Sequence, residues 1–352
     1  MADGNCVLAP GRVNLIGEHI DYHGLAVLPM ALRRGVRAVF RPRADRRIRA
    51  VSPGYGTREF EWRADLAPVA AGDWENYLRA AALVARKFCG NPVGIDVEIR
   101  SDLPAAAGLA SSSALLVAVT LGLLRANGYN PRFEELMEVL PDGEQFVGTR
   151  GGGMDHAASL ASRTGCASLV SFEPLAVRHI AIPEDWAFLV ADSGVRAEKS
   201  GAAREDYNAR RRGGVRALER LGLRSYREAK PEDAARLDVP EERDAFLHTA
   251  TEAVRVQAAV EAMEARDLAA FGELLVESHA SLRDRLRVSC AALDALVERA
   301  LAAGAAGARL TGAGFGGSVV ICCERARMGA IRRALPEAIE AEPGPGALEG
   351  AF

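Results

Sequence analysis

One stretch limits the fold more than any other. Ile95, Val97 and Ile99 alternate with charged residues, Pro104–Ser113 is almost entirely Ala, Gly and Ser, and an apolar run from Ser111 to Leu124 closes at Asn127-Gly128. Alternation predicts a strand, the apolar run a helix, and Asn-Gly the helix end. The helix starts after a segment with almost no side-chain bulk, which lets a phosphate approach the backbone. Unbonded N–H groups and the helix dipole at such a start favour a phosphate, and hydroxyls there can meet a magnesium ion on nucleotide phosphates. A tight turn with Ser111 as a plain N-cap fits the composition equally well. The segment is neither a Walker A loop nor a dinucleotide fingerprint.

Around it, Val36, Ala38 and Phe40 predict a strand, and Ile48 and Ala50 another, with the charged turn Ala44–Arg47 joining them as a hairpin. Ala167–Phe172 and Trp186–Ala191 are strand candidates that carry the chain from one half to the other. From about Gly201 to Leu301 the pattern is helical, with Leu274, Leu275, Ser278 and Leu282 on one face. Strands return at Ala308–Leu310 and Ser318–Cys322, and Glu342–Gly346 is a turn or loose segment. At roughly 100 to 200 residues per domain, 352 residues make two lobes.

Two further segments hold unusual chemistry. Thr311–Gly317 has four glycines in seven residues between two strands. This is a turn needing positive φ, or a backbone surface that approaches a ligand closely. Ala9–Tyr22 crowds Arg12, Asn14, Glu18, His19 and Asp21 into a short loop bounded by glycines. Carboxylates and an imidazole at that density suit the hydroxyls of a sugar, and the arginine suits an anionic transition state; capping contacts and a surface ion pair are the plainer reading. Asp155, after Gly151-Gly152-Gly153-Met154, stands where either a helix N-cap or a base would.

Net charge is −3, which gives no field for a nucleic acid backbone or an anionic membrane. Arg33-Arg34, Arg41–Arg49 and Arg210–Arg212 read as solvated faces. Six scattered cysteines lack zinc spacing, and Cys322-Cys323 lies in an apolar strand run. With no signal-peptide pattern at Met1–Leu8 and no apolar run of spanning length, a cytoplasmic protein with reduced thiols is expected.

Taken in order, these segments resemble the GHMP kinase superfamily, and within it the galactokinases. Gly11–Tyr22 with Val27–Leu32 is similar to the galactokinase signature, and Pro104–Ser113, Met154-Asp155, Asp206–Arg211, Val276–His279 and Gly312–Gly317 follow in family order. The resemblance implies an α+β, two-lobed GHMP kinase fold. Its N-terminal ribosomal-protein-S5-domain-2-like lobe, residues 1–180, would carry the phosphate loop, and its C-terminal ferredoxin-like lobe, residues 181–352, the glycine-rich third motif. It implies an ATP- and Mg2+-dependent enzyme that phosphorylates the anomeric hydroxyl of galactose. Asp155 would be the catalytic base, with Arg12 stabilising the transferring phosphoryl. Glu18, His19, Asp21, Gly152 and Tyr207 would bind the sugar. Trp74 and Tyr77 would lie near the adenine, with Pro104, Ala106, Ala107, Gly108, Leu109, Ala110, Ser111, Ser112, Ser113, Gly312 and Gly314 around the nucleotide. Ser112 and Glu144 would hold the metal. The partner is a small sugar, with neither nucleic acid nor membrane, and a monomer is expected.

Departures from the family pattern cluster at the sugar. His23-Gly24-Leu25 stands where galactokinases have Asn-x-Gly, His156 where they have Gln, and Arg150–Gly153 where they have Pro-Cys-Gly-Ile. The usual metal-supporting acid lies one position before Glu144, at Gly143. A kinase for N-acetylgalactosamine, arabinose or galacturonate is therefore the alternative, and a non-catalytic sugar and ATP sensor a second. Intact Ser111–Ser113, Arg12 and Asp155 favour the enzyme, and the Glu18-His19-x-Asp21 cluster argues against a mevalonate or homoserine kinase.

Overall fold

Period-two burial in the first hundred residues builds one twisted sheet. The computed structural model describes residues 5–104, 108–148, 151–196 and 202–349. In it β1 (Cys6–Ile16) and β2 (Leu28–Pro42) form a long antiparallel pair. The segment expected as a loop is thus a strand as far as Ile16, and only Gly17–Tyr22 is the turn. Beyond it come β3 (Arg47–Ser52), β4 (Gly56–Glu61), α1 (Glu75–Arg86) and β5 (Ile95–Ser101), in the sheet order β1-β2-β5-β3-β4.

The expected β2–β3 hairpin does not form. β5 lies between the two strands, antiparallel to β2 and parallel to β3. Its entry is pinned by two main-chain bonds, Arg43 N to Gly94 O (2.9 Å) and Gly94 N to Asp45 O (2.7 Å). Any side chain at Gly94 would overlap the Arg47 backbone. A short turn between two apolar strands reads as a hairpin until a third strand competes for the gap.

α2 (Ser111–Ala126) is buried on nearly every side against β1, β2 and α1, as its uniform apolarity requires. α3 (Phe133–Val147) and α4 (Met154–Ala161) complete this layer, and β6 (Cys166–Phe172) and β7 (Leu175–Ala181) form a hairpin joined to the first sheet through Val27 and Val170.

The second half is built on β8 (Trp186–Asp192), followed by the helical run α5 (Ala202–Leu221), α6 (Pro240–Glu264), α7 (Leu268–Ser281) and α8 (Ala291–Ala302). β9 (Gly307–Thr311), β10 (Ser318–Glu324), α9 (Met328–Ala334) and β11 (Ala338–Glu340) finish it, in the sheet order β11-β8-β10-β9. Cys322 and Cys323 are core positions of β10, and all six cysteines are free. The segment after β11 has no regular structure but is not loose: Gly344 N donates to Ala31 O (2.8 Å) and Gly346 N to Ser162 O (2.7 Å). Among the described residues no helix is long and apolar enough to cross a membrane.

Candidate active site

β1 delivers Arg12 to the Gly108–Ala110 turn at the start of α2. Gly11 makes room for the approach, since a Cβ there would lie 2.6 Å from Leu103 Cδ2 and 2.7 Å from Leu109 O. The Arg12 main chain donates to Leu109 O (3.1 Å), and its Nη1 donates to Gly108 O (2.7 Å). Nε and Nη2 both lie 2.7 Å from Oδ1 of Asp155, 143 residues away in sequence. Burial works against this guanidinium, but Asp155 and Glu18 more than offset it and raise its pKa. Asp155 sits in the first turn of α4, where the helix dipole favours its negative form. Its Oδ2 is 3.4 Å from Ser113 Oγ, which donates to Glu144 Oε1 at 2.6 Å.

Glu144 reaches this point because α3 turns its neighbour away. Gly143 faces Leu116 and Val84, so the family's usual acid at that position would project into the core here. Buried His156 places Nε2 3.6 Å from Glu144 Oε1. Among the described residues no three His, Cys, Asp or Glu side chains form a metal cage. Glu144, Asp155 and the serine hydroxyl are instead hard oxygen donors, the set Mg2+ takes when phosphates and water complete its shell.

Ala110, at the cap position of α2, is left-handed (φ 58°) and has no side-chain group able to cap the helix. Ser111 is the first helical residue, so the reading of it as a plain N-cap does not hold. Leu109 and Ala110 are buried and contribute backbone, Pro104 is half-buried, and Ala106 and Ala107 lie outside the described residues. The third motif lies against this loop: a Cβ on Gly312 (φ 87°) would sit 3.2 Å from Gly108 O. Gly314 (φ 80°) turns under Val288, whose carbonyl accepts from Phe315 N.

The turn after β1 is tied to that motif. Glu18 Oε1 accepts from Gly312 N (2.6 Å) and Thr311 Oγ1 (3.3 Å), and burial raises its pKa against the pull of Arg309 and Arg12. His19 Nε2 lies 3.1 Å from Ala313 O. A carbonyl only accepts, so the ring hydrogen is on Nε2 and Nδ1 accepts from the Tyr22 hydroxyl (2.9 Å). Burial and the neighbouring His248 push its pKa down to about 3, so the ring is neutral. Asp21 Oδ2 accepts from Gly152 N (3.1 Å), and its pKa is raised to about 7 by burial and by the Asp155 and Glu18 charges. A side chain on Gly152 would overlap Asp21 and the Tyr22 backbone. Tyr207, on α5, closes the group with its ring 5.2 Å from His19 and 5.6 Å from Tyr22.

The structure therefore brings Arg12, Gly108, Ser113, Glu144, Gly152 and Asp155 together with Glu18, His19, Asp21, Tyr207 and Gly312. Trp74 stands elsewhere, at the start of α1, donating to Tyr55 O (3.2 Å) beneath Arg58, with Tyr77 one turn on. The sequence reading missed the support beneath the turn. Glu252 on α6 accepts from Gly17 N (3.0 Å), Ser278 Oγ (2.7 Å) and Arg255 Nε (2.8 Å). Arg309, fully buried, donates to Leu15 O (2.8 Å). The sequence signals this only through the spacing of His248, Glu252 and Arg255, four and three residues apart along α6.

Known proteins match along most of the chain. Residues 2–42 match the galactokinase galactose-binding signature, 76–163 the GHMP kinases N terminal domain and 259–341 the GHMP kinases C terminal domain. The galactokinase of Chloroflexus aurantiacus is 41% identical, covering 89% of this chain and 82% of its own. The crystal structure of Lactococcus lactis galactokinase complexed with galactose superposes with a TM-score of 0.89 at 28% identity, over 97% of this chain and 94% of that one. Methanococcus jannaschii mevalonate kinase, at 16% identity and TM-score 0.69 over 96% of this chain and 98% of its own, shares the fold. The expected two-lobed GHMP kinase architecture is thus present, and the chain belongs to the galactokinase family.

Proposed function

We propose that this chain transfers the γ-phosphoryl of ATP to the anomeric hydroxyl of galactose, with Asp155 as the proton acceptor and Arg12 holding the phosphoryl. The reaction forms the bond from sugar O1 to Pγ and breaks the bond from Pγ to the bridging oxygen of ADP. The O1 proton passes to the Asp155 carboxylate and then to solvent. The observation that carries this reading is the double 2.7 Å contact of Arg12 with Asp155, set directly over Gly108 O. It supports the reading because a carboxylate held beside a fixed positive charge suits phosphoryl transfer, which asks for positioning and charge neutralisation.

Residues 1–180 supply the phosphate loop, Asp155 and the Glu18, His19, Asp21 and Gly152 side of the sugar pocket. Residues 181–352 supply Tyr207 and the Gly312 and Gly314 turn. Mg2+, when bound, would supply neutralisation of the nucleotide's phosphate charge. Glu144 would hold it with Ser112, on the helix start that also carries Ser113. Trp74 and Tyr77 would border the adenine from the start of α1. Free cysteines fit a cytoplasmic setting.

The test is ADP release by the purified protein with Mg-ATP and a panel of galactose, N-acetylgalactosamine, arabinose, galacturonate and glucose, beside Asp155→Ala. Turnover on galactose, lost in the variant, is expected. Turnover on a different sugar alone would move the substrate. Saturable sugar binding without turnover on any would make the protein a sensor.

A further inference from the structure

The interior of a helix is a costly place for glycine, about 1 kcal/mol against alanine. α5 nevertheless carries Gly213-Gly214 near its middle. At Gly213 an added Cβ would meet nothing nearer than 3.6 Å. At Gly214 it would lie 2.7 Å from Cε1 of His23, closer still to its Nε2, and 3.0 Å from Tyr226 Oη. The space a side chain would take on α5 is filled by His23, the residue standing where the family pattern has Asn. The imidazole also packs against Tyr226 (4.7 Å between ring centres) and edge-on to Tyr22 (4.7 Å). Tyr226 donates to Gly214 O (2.9 Å) and its ring lies 5.5 Å from Phe246 in the core. Arg227 Nη2 donates to Gly24 O (3.2 Å), next to His23. An aromatic chain therefore runs without a break from Tyr207 through Tyr22, His23 and Tyr226 to Phe246.

We propose that His23 and Gly214 are a complementary pair that sets how closely α5 approaches the sugar turn, making His23 a positioning residue for sugar specificity through Tyr22 and Tyr207. The larger side chain on the turn is matched by the missing one on the helix. This inference rests on the reading that Tyr207 closes the sugar pocket.

The test is a double-mutant cycle of His23→Asn, Gly214→Ala and the pair, on the full chain. It reads KM for galactose, KM for ATP, kcat, and the kcat/KM ratio of galactose to N-acetylgalactosamine. Each single change is expected to raise KM for galactose about tenfold and shift the sugar ratio, because a displacement near 1 Å carries that penalty or more. KM for ATP is expected to stay within about twofold, and the pair to recover most of the galactose KM, since only contacting residues couple in this way. Equal rises in both KM values, or single effects that simply add, would overturn the proposal. If Gly214→Ala does not fold, recovery of a folded protein in the pair supports the contact, while an unaltered sugar ratio in His23→Asn overturns it. Wild-type protein that turns over none of the panel sugars would instead refute the kinase reading. Calorimetric galactose binding across the same four proteins then still decides the pair.

Discussion

At Asp155 one carboxylate oxygen takes both contacts from Arg12, and the other lies toward Ser113. The ion pair orients the acid, so the isosteric Asp155→Asn keeps the shape while removing the charge and, on the proposed mechanism, the proton acceptor. We expect kcat to fall by about 10²- to 10⁴-fold, the usual worth of a general base. Galactose affinity by calorimetry should change little. A kcat within about tenfold of wild type would show that the group orients the hydroxyl without taking its proton. Asp21 offers a second reading at this scale. Its pKa is raised to about 7 in the folded protein, against about 3.9 unfolded. A raised carboxylate stabilises the fold fully below the unfolded value and loses that contribution as pH rises through about 7. Without sugar, wild type should therefore lose Tm between pH 5 and 8, and Asp21→Asn should lose a few degrees less. Parallel melting curves across that range would rule the shift out.

The elements explain both what the sequence disclosed and what it hid. α2, β5, β9 and β10 were legible because their apolar periodicity and flanking glycines are local properties. The insertion of β5 between β2 and β3 was not, since strand order depends on which edges meet and Gly94 is one unremarkable glycine in sequence. Arg12 and Asp155 were named by their motifs, and Ser278 lay in one, but the foundation they share was not legible, because Glu252, Ser278 and Arg309 come from three separate elements. Burial pushes the Glu252 carboxyl up, yet Arg255, His248 and Arg309 outweigh it and hold its pKa at about 2. Glu252→Gln should cost about 3 to 5 kcal/mol in denaturant unfolding, the usual penalty for leaving buried partners uncompensated. A loss below about 1 kcal/mol would place the work of holding Gly17 elsewhere.

Across the whole molecule, the two halves are joined at the site itself. Glu18 accepts from Gly312, His19 donates to Ala313, Asn14 N donates to Thr311 Oγ1 (3.1 Å), and Arg309 donates to Leu15. Each bond crosses from the β1 strand and its turn to β9 or the glycine turn, and most are buried. Separating the halves would expose Glu18 and Arg309 without their partners, so neither half should unfold alone. Galactose would then stabilise the entire fold through one local site. At a hundred times its Kd, a ligand that binds only the folded state adds about 2.7 kcal/mol. We expect calorimetry to show a single transition that moves upward intact with galactose, and Asp21→Asn to lessen the movement by weakening the Gly152 and sugar-turn contact. Two transitions, with only the one belonging to residues 1–180 responding to sugar, would mean that the bonds across the site do not couple the halves.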